Sequence, residues 1–170
     1  MKEAFGNLLH MDGDALVITT NGFVKNNGEA VMGRGIAKQV ADALPGFARE
    51  LGTLINYGGN IVHHVRNHND MALVTAPVKP ARVIYDGTNV VAHAAYQFHI
   101  GDTVPGFWAK ADPKRIVATC HDLVILANSM GWQTVLCPRF GCGAGELKWE
   151  DVKPMIENIL DDRFICVTYE

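Results

Sequence analysis

The chain is short of cysteine, and what it has follows no pattern. Cys120, Cys137, Cys142 and Cys166 are its four cysteines and form no C-x-x-C pair, which excludes a zinc ribbon and a redox dithiol. No apolar run approaches the roughly 18 residues that a membrane-spanning helix needs, so no membrane partner is expected. A basic surplus is missing too: 15 Lys and Arg stand against 18 Asp and Glu, a formal net charge of −3. Proteins that grip nucleic acid through its phosphates carry an excess of Lys and Arg, so general nucleic-acid binding is not expected. No apolar segment of the signal-peptide kind follows Met1-Lys2-Glu3, and with unpatterned cysteines this reads as a reduced, cytoplasmic protein. Nor is there an internal repeat, a low-complexity tract or a linker. The 170 residues suit one domain spanning 1–170. At 48% hydrophobic and 19% charged, the composition excludes disordered, collagen-like and disulfide-dense classes.

What is present alternates between strand and helix signals. Ala15 to Thr20 is a nearly continuous apolar, β-branched run, the pattern of a strand buried on both faces. A polar loop from Asn21 to Met32 follows. From about Gly33, Ile36, Val40 and Leu44 recur at helical spacing until Pro45-Gly46, which stops a helix. A second helix is expected from Phe47 to Asn56, and short strands near 60–66 and 71–76. Residues 81–111 carry Gly, Pro and Asp interruptions and read as a long loop or insertion. Asp112-Pro113 starts a helix, whose apolar stripe is Ile116, Cys120, Leu123, Ala127 and Met130 before Gly131. Thr134–Cys137 reads as a buried strand. Trp149, Val152, Ile156, Ile159 and Leu160 mark a last helix, and Phe164–Tyr169 a last strand. This order predicts an α/β fold with a largely parallel sheet covered on both faces. Ligands of such sheets bind beyond the carboxyl ends of the strands.

Two Gly-rich loops leave expected strand ends and enter helices. The first contains Gly28, Gly33, Arg34, Gly35 and Ile36. Glycines let backbone N–H groups approach an anion, and the next helix offers its positive end; a tight turn would use the same residues. Arg34-Gly35 stands where a P-loop carries Lys and Ser or Thr, so the lysine and the Mg²⁺-binding hydroxyl of an NTPase are missing. Lys38 occupies the third glycine of a dinucleotide G-x-G-x-x-G. The second loop, Gly141-Cys142-Gly143-Ala144-Gly145, is another candidate anion nest. There, backbone donors would lower the Cys142 thiol pKa, although its small volume alone explains it. Two such loops together suit a pyrophosphate held from two sides. His64-x3-His68 has metal-ligand spacing only on a helix, and this stretch reads as a strand, so no metal is expected. No G-x-S-x-G elbow is present.

Read together, these residues resemble a family. The segments are Gly6-Asn7-Leu8-Leu9, Asp14 to Asn21, Val31-Met32-Gly33-Arg34-Gly35-Ile36-Ala37, and Pro138-Arg139-Phe140-Gly141-Cys142-Gly143 followed by Leu147 and Trp149. In this order, across essentially the whole chain, they resemble the macro domain. The likeness is greatest to stand-alone phage and bacterial macro domains. It extends to the branch with the human terminal ADP-ribose glycohydrolase and the antitoxin that removes ADP-ribose from DNA. The resemblance implies a three-layer α/β/α fold with a cleft for ADP-ribose. It implies hydrolysis of an ADP-ribose derivative without a cofactor, the linked group being DNA, protein or a 1″-phosphate. The rival reading is a non-catalytic reader or sponge of ADP-ribose-like nucleotides.

Roles follow position by position from the resemblance. Asn21 matches the asparagine that contacts the distal ribose. Gly33, Arg34, Gly35 and Ile36 match the first diphosphate loop, and Gly141, Cys142, Gly143, Ala144 and Gly145 the second. Asn7 falls where most members carry an aspartate that accepts from adenine N6. Tyr169 is placed to pack on adenine or to lie on the surface. Lys79 aligns with the lysine of the glycohydrolase branch that attacks or stabilises C1″ of the opened ribose; as a residue it also reads as a solvated loop lysine. Gly145 stands where the human enzyme has its acid–base aspartate, with Glu146 beside it.

Overall fold

The computed structural model describes residues 1–169. Six strands form one sheet. They are β1 (Lys2–Phe5), β2 (Ala15–Thr20), β3 (His63–His68), β4 (Met71–Pro77), β7 (Val135–Cys137) and β8 (Phe164–Thr168). Their spatial order is β1-β8-β7-β2-β4-β3, every neighbouring pair being parallel except β3 with β4. Four α-helices complete the layers: α1 (Gly35–Ala43), α2 (Phe47–Gly58), α3 (Pro113–Met130) and α4 (Trp149–Ile156).

Strand β2 shows why the layers form. Side chains alternate across a strand, and all of Ala15 to Ile18 are buried. Ala15 and Val17 enter one core with Ile116, Cys120, Leu123 and Ala127 of α3 and Val152 and Ile156 of α4. Leu16 and Ile18 enter the other with Ala37 and Val40 of α1 and Phe47 and Leu51 of α2. A β2 residue turned outward would therefore meet no water, which is why the run is apolar throughout. The caps read from the sequence are also in place. The Asp112 side chain accepts from the Lys114 N–H at 3.0 Å, and Gly131 ends α3 in the left-handed conformation. Replacing such an N-cap typically costs about 1 kcal/mol.

Three differences from expectation have physical reasons. β1 carried no signal because it is a short edge strand, mostly exposed, so no apolar run marks it. The last helix ends at Ile156, while Ile159 and Leu160 pack from the turn that follows. His64 and His68 lie on β3, a strand as expected, where their spacing does not give the helical ligand geometry. Residues 81–111 are ordered rather than a plain loop. β5 (Arg82–Ile84) pairs antiparallel with β6 (Thr103–Pro105), and the excursion between them buries Val90, Val91 and Ala94 against Val104.

All five mutually parallel strands end on one side of the sheet. Residues at or just after those ends — Gly6, Asn21, Val78, Pro138 and Thr168 — line a single cleft. No helix among the described residues is long and apolar enough to cross a membrane.

Candidate ligand-binding cleft

The cleft encloses about 700 Å³, within the range of small-molecule sites. The first loop forms its wall through Val31 to Ala37. Asn21 shapes this loop: its Oδ1 accepts from the Phe23 N–H at 2.9 Å, and its Nδ2 donates to the Val31 carbonyl at 3.1 Å. One N–H and one lone pair of the amide remain for a ligand. Arg34 sits at the N-cap position of α1 without a side-chain cap bond. Among the described residues, no side chain satisfies the N–H groups of Gly35, Ile36 and Ala37, which leaves the positive end of the helix open to an anion. A Cβ built on Gly33 would meet nothing within 4 Å, so its backbone is bare toward the cavity.

The second loop lies opposite. Gly141 holds φ +72, and a Cβ there would press on Ala111 and Ile116. Its glycine is required by the turn and by the close approach of α3. Gly143 instead faces open space. The N–H groups of Gly143, Ala144 and Gly145 make no hydrogen bond among the described residues, so this loop offers a second set of free donors. Cys142 lines the cleft half-buried. Burial pushes its thiol up to about 11, against the charge of Arg139, which acts the other way; the expected lowering by backbone donors does not occur. Desolvation likewise raises Cys120 and Cys137, packed in the core.

Lys79 is not a solvated loop lysine. It follows β4, is 5% exposed, and lines the cleft between the second loop and the 81–111 segment. Its Nζ donates to the Ala144 carbonyl at 3.2 Å and to the Phe107 carbonyl at 3.4 Å. Its own carbonyl is held by Asn60 Nδ2 at 2.9 Å. Burial lowers its pKa to about 8, and the charge of Arg34 acts in the same direction while that of Glu146 opposes it. The amine is thus poised to exchange its proton near neutral pH.

At the other end, Asn7 stands at the rim between two cleft residues, Gly6 and Leu8. Its Oδ1 caps the short 3₁₀ turn Leu8–His10 by accepting from Leu9 N–H, and its Nδ2 donates to the Tyr169 hydroxyl at 3.1 Å. Tyr169 lines the cleft and is 65% exposed, so a free ring face is available to a planar group. Sequence reasoning gave no role to Arg139, Trp149, Phe107 or Trp108, all of which line the cleft. Arg139 stacks over Trp149 at 5.2 Å from the ring centroid. Arg34, Lys79 and Arg139 give the cleft three cations, and among the described residues no carboxylate lines it. In a chain with net charge −3, that is a local inversion of sign and suits an anionic ligand.

No family model matches the chain, and no curated protein matches it. Solved structures do. The macrodomain of Mycobacterium tuberculosis DarG superposes with a TM-score of 0.69 at 22% identity, covering 98% of this chain and 96% of that one. The macrodomain of Thermus aquaticus DarG gives 0.66 at 21% identity, covering 99% and 97%. The chain has the macrodomain fold. The macrodomain likeness extends to Thermosipho africanus DarTG in complex with ADP-ribose, with a TM-score of 0.66 at 15% identity over 97% of this chain and 40% of that larger one.

Proposed function

We propose that this macrodomain-fold chain binds ADP-ribose and hydrolyses an ADP-ribose derivative. The observation that carries the reading is the cleft itself: two opposed loops with unpaired N–H groups, three cations and, among the described residues, no lining carboxylate. A diphosphate placed between the loops would receive donors from both sides. Asn21 and Lys79 would then flank the distal ribose, and Tyr169 with Asn7 would meet the adenine. The likeness to a DarTG structure in complex with ADP-ribose supports the same ligand.

Lys79 is the residue assigned to the chemistry. Its neutral amine would form a bond from Nζ to C1″ as the bond from C1″ to the linked group breaks. The linked group would leave with that electron pair and take up the proton shed by Nζ. Water would then add to C1″, returning a proton to Nζ as the Nζ–C1″ bond breaks, which regenerates the lysine and frees ADP-ribose. No metal or organic cofactor enters this scheme. The linked group is DNA, protein or a 1″-phosphate. One observation favours the binding-only alternative: Gly145 supplies no carboxylate, and both carboxylate oxygens of Glu146 are engaged by the Ala92 N–H. Any acid–base step must therefore rely on the lysine and water.

A panel of ADP-ribosylated DNA, ADP-ribosylated protein and ADP-ribose 1″-phosphate, scored for released product, tests the proposal. At least one should turn over. Because kcat/KM reports the free protein's ionisations, it should rise with pH through about 8, where Lys79 loses its proton. The profile for kcat should rise at higher pH, since the bound diphosphate favours the charged amine. No turnover across the panel, with ADP-ribose still bound, would replace hydrolysis by the reader function.

A further inference from the structure

The 81–111 segment reaches both anion loops through one dipeptide. His93 Nε2 lies 3.0 Å from Arg34 Nη2 in the first loop. The adjacent Ala92 N–H donates to both carboxylate oxygens of Glu146, just after the second loop, at 3.1 Å each. The segment behind these contacts is built to hold position. Val90, Val91, Ala94 and Val104 form its own small core. The His93 ring packs edge-on against Trp108 at 5.5 Å.

Glu146 marks this contact in its backbone. It has φ +63, and the other non-glycine residues with positive φ among those described are Asn69 and Asp70. Those two sit in the β3–β4 turn and are types that tolerate the left-handed region, whereas a glutamate there is strained. The strained backbone accompanies a side chain directed at Ala92, not at the cavity it adjoins.

We propose that Ala92 and His93 clamp the two anion loops at a fixed separation, and that Glu146 is the positioning residue of this clamp. It sets the second loop, and with it the Ala144 carbonyl that holds Lys79, in register with the ligand's diphosphate and C1″. The proposal rests on the ADP-ribose reading of the cleft. It also carries an electrostatic consequence. The charged groups that act on Lys79 are Arg34 and Glu146, and the Glu146 charge raises the lysine pKa against the effect of burial. Neutralising Glu146 should move the rising limb of the rate profile to lower pH.

Three variants test it: Glu146→Gln, Glu146→Ala and Glu146→Gly, the last relieving the strained backbone so that folding is not at issue. In the unliganded protein, hydrogen exchange at the Ala92 amide should speed up in the Ala and Gly variants and stay slower in Gln, which keeps an acceptor oxygen. ADP-ribose affinity should fall about five- to tenfold in Ala and Gly, the scale of one lost hydrogen bond at an exposed position. It should stay within about twofold in Gln, while the pH limb of turnover shifts to lower pH. Unchanged Ala92 exchange in the Gly variant overturns the clamp whatever the ligand. Faster exchange with unchanged affinity overturns the positioning role, and an unmoved pH limb in Gln overturns the coupling to Lys79. If the wild type fails to bind ADP-ribose, the functional reading falls and the exchange measurement alone decides the clamp.

Discussion

Lys79→Ala should abolish release of ADP-ribose from its substrate while leaving ADP-ribose binding within a few-fold. The expected loss in rate is about 10²–10⁴, the range for removing a nucleophile or an electrostatic catalyst from a water-poor site. Binding should be spared because, on the proposed reading, the diphosphate rests on backbone N–H groups that the substitution does not touch. The fold should tolerate it. The variant removes a buried cation, which favours folding, and leaves the Ala144 and Phe107 carbonyls without that donor, which opposes it. Lys79→Arg separates two roles of the residue. Arginine keeps a charge but cannot act as a nucleophile near neutral pH, so retained activity points to electrostatics and lost activity to covalent chemistry. Equal turnover in wild type and Lys79→Ala contradicts any catalytic role for this lysine.

Gly33→Glu should cost ADP-ribose affinity by at least about tenfold. Gly33 is not in a positive-φ conformation, and a Cβ there meets nothing within 4 Å, so the backbone accepts the glutamate without distortion. Its carboxylate would occupy the space assigned to the diphosphate. Two like charges about 4 Å apart repel by about 1 kcal/mol in water and about 4 kcal/mol near a protein surface. Each 1.4 kcal/mol is about tenfold in affinity, so repulsion alone gives about fivefold to several hundredfold, and the bulk of the side chain in the same space raises the lower end to about tenfold. Calorimetry on the variant, with a melting curve to verify folding, reads the effect. Normal binding by the folded variant would mean that the first loop is not the phosphate site.

The sandwich was legible in the sequence because its central elements are buried on both sides or amphipathic with clear punctuation. Ala15 to Thr20 can only be a covered strand, and Asp112-Pro113 with Gly131 brackets α3 by cap chemistry that acts within a few residues. Edges were harder to read. Lys2–Phe5 becomes a strand only because β8 lies beside it, and that pairing joins residues more than 160 positions apart. Residues 81–111 hid their order for a related reason. β5 and β6 are three residues each and meet across a long excursion, so neither shows a period of its own.

The site divides along the same line. The glycine loops announce themselves locally, since few functions need that density of small residues at a strand end, whereas Asn21 is marked only by the family resemblance. Lys79 is legible as a position through the family resemblance, but its burial is not, because the Phe107 and Ala144 carbonyls that receive it come from distant segments. Arg139 and Trp149 fall in a family-like segment that by itself gives them no role; their stacking depends on how α4 follows the second loop. Glu146 was visible only as a neighbour of Gly145. Its side chain turned out to face Ala92.

The central claim is that one cleft holds both the diphosphate and the distal ribose of ADP-ribose. Parallel calorimetric titrations of the wild-type chain with ADP-ribose and with AMP test it most directly. On this account AMP would fill only the Tyr169 end and would not span both loops or reach Asn21 and Lys79. The account predicts saturable binding of ADP-ribose that is far tighter than that of AMP. Equal affinities for the two, or no binding of ADP-ribose, would contradict it.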